Sequence, residues 1–500
     1  MIRTRYRSLI LLICAALLVV ALGARAALAQ EPVAVPPFDA QAVDAYLRSQ
    51  MDNSRLSGMA VAVVREGQVI YSQGYGSAAP GRAMTPQTQL YLGSLTNSFT
   101  ALAALQLVEQ GKLDLDAPVQ QYLPWFRVAD ETASAQITVR HLLNQTSGLS
   151  ASGDPAPGDY AQSLEAEVRD LAEVRPTSPV GSRFRYYNQN YRVVGLLIEQ
   201  ASGQPYAQYL AEHITQPLGM AHTVADPAAA PDLALGYGQA FGFAFPRGQA
   251  YHASALPSDY VISTAEDMAH YLLAMLNQGR ASDQQLLKPE TFALLHTPPA
   301  DVRSSYGMGW VSSRAFGSYR GFPQTPVIYH SGDLESFHAM AMLFPELDLG
   351  FVILTNENSL PLKMAAHQTI AVGLASVLVG DDPPEPTPMF WVYLGLGLVA
   401  TLDLLNAVRR LAQFKKWADK VAWLPSWRRW LSALMGLAIP IAVLAGLPAL
   451  LGTVLAGPTS WGEMFAQLPD ATAWLWVSIA LNLAMGVRQV LTLVKRPVSS

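Results

Sequence analysis

Cysteine is almost absent from this chain: Cys14 is the only one, and it lies inside an N-terminal apolar run. If that run is removed, the mature protein has no thiol, which excludes disulfides, thiolate metal sites and cysteine nucleophiles. Charge is scarce too, at 14% of residues, and a net charge of -5 over 500 residues gives no basis for nucleic-acid binding. Lysine is rarer still between residues 38 and 380, where only Lys112, Lys288 and Lys363 occur. Apolar residues are what the chain has in plenty. They make up 51% of it, too many for disorder and enough to place part of the chain in lipid. The length exceeds one ordinary core, so two or more units are expected.

Arg3, Arg5 and Arg7 precede an apolar stretch from Leu9 to Leu22, and Ala27-Leu28-Ala29 offers a small-x-small cleavage site. Residues 1–29 therefore read as an export signal, with an uncleaved anchor as the alternative. At the other end, the Pro-rich run from Asp381 to Pro388 can neither form a helix nor join a sheet, and residues 381–389 read as a stiff linker. Residues 390–500 read as a membrane unit, with apolar stretches at about 390–408, 431–456 and 471–494. At about 1.5 Å per residue, each can cross a hydrocarbon layer of roughly 30 Å.

The loops between these stretches suggest an orientation. Arg409, Arg410, Lys415, Lys416, Lys420, Arg428 and Arg429 separate the first two, and Lys495 and Arg496 follow the third. The loop between the second and third has no Lys or Arg. Basic loops stay cytoplasmic, so the C-terminus is expected inside the cell membrane and residues 30–380 outside it, as the export signal also requires. Asp403, Asn482 and Arg488 fall at membrane depth. Asp403 lies within two turns of the expected cytoplasmic end and Arg488 can snorkel the same way, which favours packing or anchoring over transport.

Residues 38–380 read as one α/β (α+β) unit. Ala60–Val64 and Val69–Tyr71 form two strands around the Glu66-Gly67 turn, and Ala339–Phe344 and Gly350–Leu354 form two more. A helix runs from Ser94 to Gly111, Leu142-Leu143 and Val193–Ile198 suggest further helices, and Ala365–Leu378 closes the unit. Strands at both ends with helices between them predict an antiparallel sheet built from the two termini, carrying a helical insertion.

Three short segments hold candidate chemistry. In Gly93-Ser94-Leu95-Thr96-Asn97, a serine at a helix start has its backbone N–H at the positive end of the helix dipole, which suits a developing anion. Taken alone, such a serine is more often an N-cap. In Tyr186-Tyr187-Asn188, a phenol can be a general base if a cation lowers its pKa, although aromatic-rich turns more often pack. In His330-Ser331-Gly332, a strand ending in glycine lets a substrate backbone approach, while a single histidine there is more often structural.

Together, in this order, the segments resemble the family of class C β-lactamases, D-alanyl-D-alanine carboxypeptidases and related esterases. That family carries a Ser-x-x-Lys helix start, a Tyr-x-Asn loop and a Lys/His-x-Gly strand. Leu107–Asp116, Thr138–Leu143, Thr146–Leu149, Pro217–Met220, Ser263–Met268 and Tyr306–Trp310 are similar to it as well. The resemblance implies a β-lactamase-like domain with Ser94 as nucleophile on a peptide, lactam or ester carbonyl. Tyr186 would be general base, Asn188 would meet the substrate amide, and His330 would assist Tyr186 or meet a substrate carboxylate. The oxyanion would rest on the N–H groups of Ser94 and Asp333, with Ser331 and Gly332 lining the substrate strand. It implies no metal or organic cofactor, a small-molecule or peptide substrate, and no nucleic acid.

One position departs from the family. Asn97 stands where the lysine is expected, and an amide is neither charged nor basic at neutral pH. Without that cation Tyr186 should stay near a phenol's reference value of about 10, and losing base assistance costs on the order of 100- to 10,000-fold. None of the three lysines is a natural stand-in, since Lys112 is at the far end of its helix and Lys288 and Lys363 lie outside the segments. His330, with an ordinary pKa of about 6.5, is the alternative base. The sequence therefore allows a weakened serine hydrolase or a ligand-binding module without turnover. A transporter is the remoter reading.

Overall fold

The computed structural model describes residues 36–150, 163–281, 284–313, 326–386, 388–455 and 460–495. The expected export signal, Cys14 included, lies outside these described residues. A seven-stranded antiparallel sheet runs β4-β5-β6-β7-β1-β2-β3. Its strands are β1 (Gly58–Arg65), β2 (Gln68–Ala79), β3 (Arg82–Ala83), β4 (Val311–Ser313), β5 (Val327–Asp333), β6 (His338–Phe344) and β7 (Leu349–Thr355). The first and last strands of the domain meet at the centre, with Val61 opposite Ile353 and Ala62 opposite Val352.

The central strands are apolar on both faces because each face is covered. Met59, Val61 and Val63 of β1, Met340 and Met342 of β6, and Phe351 and Ile353 of β7 point into one layer. That layer is closed by α1 (Ala40–Ser54) and α5 (Gln368–Val379). The alternate residues Ala60, Ala62, Ala339, Ala341 and Val352 face the helical insertion. Their small size on that face lets α4 (Ala265–Leu276) lie directly on β1 and β7. Deeper in the insertion, α2 (Thr96–Glu109) packs against α3 (Asn188–Ser202), and both lie against the short helix Leu256–Asp259.

Beyond the linker come α6 (Met389–Ala412), α7 (Phe414–Ala422), α8 (Ser426–Leu455), α9 (Trp461–Gln467) and α10 (Pro469–Lys495). Among the described residues, four helices could cross a membrane by length and composition, where the sequence led us to expect three. The fourth is Leu360–Val379, which includes α5; it is 67% buried within the protein, against 17 to 22% for the other three. Asp403 of α6 accepts hydrogen bonds from Ser478 Oγ at 2.6 Å and Trp474 Nε1 at 3.1 Å on α10, and Arg410 reaches Asn482 Oδ1 at 2.8 Å. The Arg488 guanidinium lies 4.1 Å from the Phe414 ring centre.

The helices also touch the sheet domain through the hairpin Tyr237–Pro246. Tyr393 of α6 donates to Gln239 Oε1 at 3.0 Å, the Phe241 N–H donates to Asp470 Oδ2 of α10 at 2.8 Å, and Arg247 reaches the Ala466 carbonyl.

Candidate active site

The turn that carries Ser94 is shaped by the strand beside it. Gly93 has φ +54°, and a Cβ there would stand 2.7 Å from the Asp333 nitrogen. A Cβ on Gly332 would stand 1.8 Å from the Leu92 carbonyl oxygen. Only two glycines permit this approach, which sets the end of β5 directly against the serine turn. The segment on the other side is tied in equally firmly. Leu90-Tyr91 pairs with Ile262-Ser263, the Leu92 N–H donates to the Val261 carbonyl at 2.8 Å, and the Val261 N–H donates to Thr96 Oγ1 at 3.2 Å. These bonds bring the helix Leu256–Asp259 against Ser94.

Ser94 is not a cap. The N-terminus of α2 has no side-chain cap, and Ser94 Oγ donates instead to Asp259 Oδ1 at 3.2 Å. Asp259 is buried and also accepts from Ser258 Oγ at 2.5 Å and from Asn188 Nδ2 at 3.1 Å to each oxygen. Arg192 of α3 stands 3.7 Å from its Oδ2 and pairs on its other side with Glu167. Burial pushes the Asp259 carboxyl above the usual aspartate value, with Arg192 and the hydrogen bonds from Ser258 and Ser94 pulling against it.

Gln145 holds the loop that delivers Tyr186 and Asn188. Its carbonyl accepts from the Arg185 N–H at 2.8 Å, while its Oε1 accepts from the Tyr187 N–H at 3.0 Å and from Asn190 Nδ2 at 2.6 Å. The Tyr186 ring is 40% exposed at the mouth, yet its hydroxyl reaches inward to accept from Nδ2 of the fully buried Asn97 at 2.7 Å. Burial at that hydroxyl, and then Tyr306 and Asp259, push the phenol well above its ordinary value; hydrogen bonds with Ser94 and Asn97 pull the other way. The expectation that Tyr186 stays near its reference value is therefore corrected upward.

His330 is brought to the same pocket but not to the serine. Its Nδ1 bonds to the Ser331 carbonyl at 2.6 Å and its Nε2 faces the Tyr306 hydroxyl at 3.2 Å. Burial lowers its pKa to about 4, against weaker opposing effects of the Ser331 carbonyl and Asp333. At neutral pH the ring is uncharged, with a nitrogen accepting from Tyr306, and it has no bond to Ser94 or Tyr186 among the described residues.

Asp333 accepts from Asn358 Nδ2 at 3.1 Å and pairs with His338 at 2.9 Å and Lys363 at 3.2 Å. Burial works against its charge, but His338, Lys363 and His367 hold the carboxyl well below the usual range. Lys363, which the sequence set outside the site, thus bonds to the residue after Gly332. Among the described residues no cation bonds to Ser94 Oγ or to the Tyr186 hydroxyl.

Sequence reasoning missed Asp259, Arg192 and Tyr306. Asp259 was findable as an acid inside the apolar text Leu256-Pro257-Ser258-Asp259-Tyr260-Val261-Ile262. Tyr306 lies in a segment noted for resemblance but was given no role there, whereas Arg192 has no signal beyond its place in a buried helix.

Comparison with known proteins bears on this arrangement. Protein flp of Staphylococcus aureus is 26% identical over 325 residues, covering 64% of this chain and 63% of its own length. The unguisins hydrolase ungD' of Aspergillus campestris is 28% identical over 336 residues, covering 63% and 60%. The chain thus spans under two thirds of the length of these curated relatives. The octameric penicillin-binding protein homologue from Pyrococcus abyssi shares the fold, with a TM-score of 0.60 at 24% identity, over 72% of this chain and 82% of that one. The Beta-lactamase family profile matches residues 43–374, which takes in the serine turn, the tyrosine loop and strand β5, and the chain belongs to the Beta-lactamase family.

Proposed function

We propose that this chain is a membrane-anchored serine acyl hydrolase whose Ser94 attacks a peptide, lactam or ester carbonyl outside the cell. The observation that carries the reading is Ser94 Oγ itself. It is freed from helix capping, donates to a buried carboxylate, and lies on a turn packed against the N–H of Asp333. A carbonyl oxygen placed between the Ser94 and Asp333 N–H groups would have its developing charge held by two backbone donors. Asn188, whose Oδ1 has no partner among the described residues, is positioned to accept from a substrate N–H. Tyr186 stays protonated and acts as a donor. His330 keeps the Tyr306 hydroxyl in place, and Ser331 and Gly332 line the strand along which the substrate lies. The unguisins hydrolase among the relatives supports a hydrolytic reaction, and the three sparsely buried apolar helices support the anchor. The basic loop between α6 and α8 supports a cytoplasmic C-terminus and a site outside the membrane.

One observation favours a second reading, a binding module without turnover: Asn97 stands in the lysine position and bonds to Tyr186 as an uncharged amide. Incubation of the full chain with a labelled fluorophosphonate or penicillin decides between them. Covalent labelling that disappears in Ser94→Ala is expected. Reversible penicillin binding with no adduct from either probe would establish the module instead.

A further inference from the structure

We propose that Asp259 is the general base for Ser94, replacing the family's lysine with a carboxylate supplied by another part of the chain. The inference rests on the hydrolase reading above and adds the group that starts the chemistry.

Geometry separates Asp259 from Asn97 and His330, and burial of the phenol separates it from Tyr186. Ser94 Oγ donates to Asp259 Oδ1 at 3.2 Å, within the reach a general base requires. Asn97 is an amide, and His330 has both nitrogens engaged elsewhere. Tyr186 holds its own proton, since its phenol lies well above the ordinary value. The carboxylate is also aimed. Asn188 donates to both oxygens and Ser258 to Oδ2, which leaves Oδ1 turned to the serine. Behind it Arg192 donates to Ser258 Oγ at 3.3 Å, and Glu167 anchors the guanidinium while accepting from Gln189 and Ser254. The charged and titratable groups facing Asp259 are therefore Arg192, Glu167 behind it, Tyr186 and Tyr260. Burial that raises the carboxyl makes it a better base than a solvated aspartate, so the environment works with the geometry.

The step balances on these atoms. As Oγ bonds to the carbonyl carbon, its proton passes to Asp259 and the carbonyl electron pair moves onto oxygen. Collapse breaks the bond to the leaving group, which takes the proton from Asp259 and leaves the acyl-Ser94 ester. Water then attacks that ester and gives its proton to Asp259. The carboxyl returns the proton to Ser94 Oγ as the acid product departs.

The test is the labelling rate of the full chain in detergent with a neutral fluorophosphonate, followed from pH 3 to 9. The wild type should lose rate as pH falls through a midpoint above that of an ordinary aspartate. Asp259→Asn, which keeps the size of the side chain, should label about 100-fold more slowly or worse and lose that acid limb, with its circular dichroism unchanged. Should the Asn variant fail to fold, Asp259→Glu decides, because a displaced acid limb supports the assignment and an unmoved one overturns it. An Asn variant that labels at the wild-type rate overturns the base assignment while leaving the hydrolase reading intact. A folded wild type that never labels overturns both.

Discussion

Asp259 and Asp333 approach the Ser94 turn from opposite sides, one from the helical insertion and the other from the end of β5, and their surroundings drive them apart. Asp333 sits among His338, His367 and Lys363, and these neighbours keep it charged into acid. Asp259 has Arg192 at 3.7 Å and is closed in by protein, and there burial prevails and raises its carboxyl. The same residue type is thus held charged in one place and, in the other, has its neutral form favoured, as the proposed base role requires. What separates the two is the combined pull of the neighbouring groups on the charge, set against how far solvent is excluded.

The largest way to break the comparison is to push the two sides apart. Gly332→Ala places a Cβ 1.8 Å from the Leu92 oxygen, so β5 must leave the serine turn. We expect loss of fluorophosphonate labelling and a destabilisation of roughly 4 kcal/mol or more by thermal denaturation. A sharper intervention adds a second cation beside the serine turn. Asn97→Lys should lower both the Asp259 and the Tyr186 pKa, moving the acid limb of labelling to lower pH and raising the rate at pH 5 by about tenfold. An acid limb unmoved by the new charge would mean that neither group controls the reaction.

Stability offers a quieter check, with opposite signs for the two carboxylates. A raised folded pKa favours the neutral acid, so the contribution of Asp259 is present below its unfolded value and lost as pH rises through the folded one. Asp259→Asn should therefore melt no lower than wild type at pH 8, and up to ~4 °C higher, with the gap closing as pH falls. The depressed Asp333 does the reverse, stabilising above about pH 4 and ceasing to do so as pH falls through its folded value. The smallest effect belongs to Lys363→Met. That ammonium is half exposed, so we expect labelling within about twofold of wild type and a stability loss below ~1 kcal/mol.

Much of the frame was legible in the sequence. The central strands announce themselves because alternate residues feed two different layers, and Met59 and Ala60 are apolar for separate reasons. Ser94, Tyr186, Asn188 and His330 could be read from short segments whose spacing is local. Asp259 stands out only as an acid within apolar text; its partnership with Ser94 could not be read, because it lies 165 residues away and the contact exists only once Leu90-Tyr91 pairs with Ile262-Ser263. Hydropathy alone cannot sort the helices, for a similar reason. Leu360–Val379 has a mean hydropathy of 1.4 and Met389–Ala412 one of 1.6, yet the first is mostly covered by protein and the second is not. The neighbours of a helix, and not its own residues, decide between those fates.

The contacts at the Tyr237–Pro246 hairpin change what the Pro-rich segment does. On its own, a stretch from Asp381 to Pro388 would be a leash, free to let the sheet domain wander. The bonds that join Gln239, Phe241 and Arg247 with Tyr393, Asp470 and Ala466 turn that leash into a mount. A body mounted in this way holds its opening at one height and one tilt relative to the helices below. If Ser94 is the nucleophile we propose, that mounting would help set which carbonyls reach it, alongside the shape of the cleft.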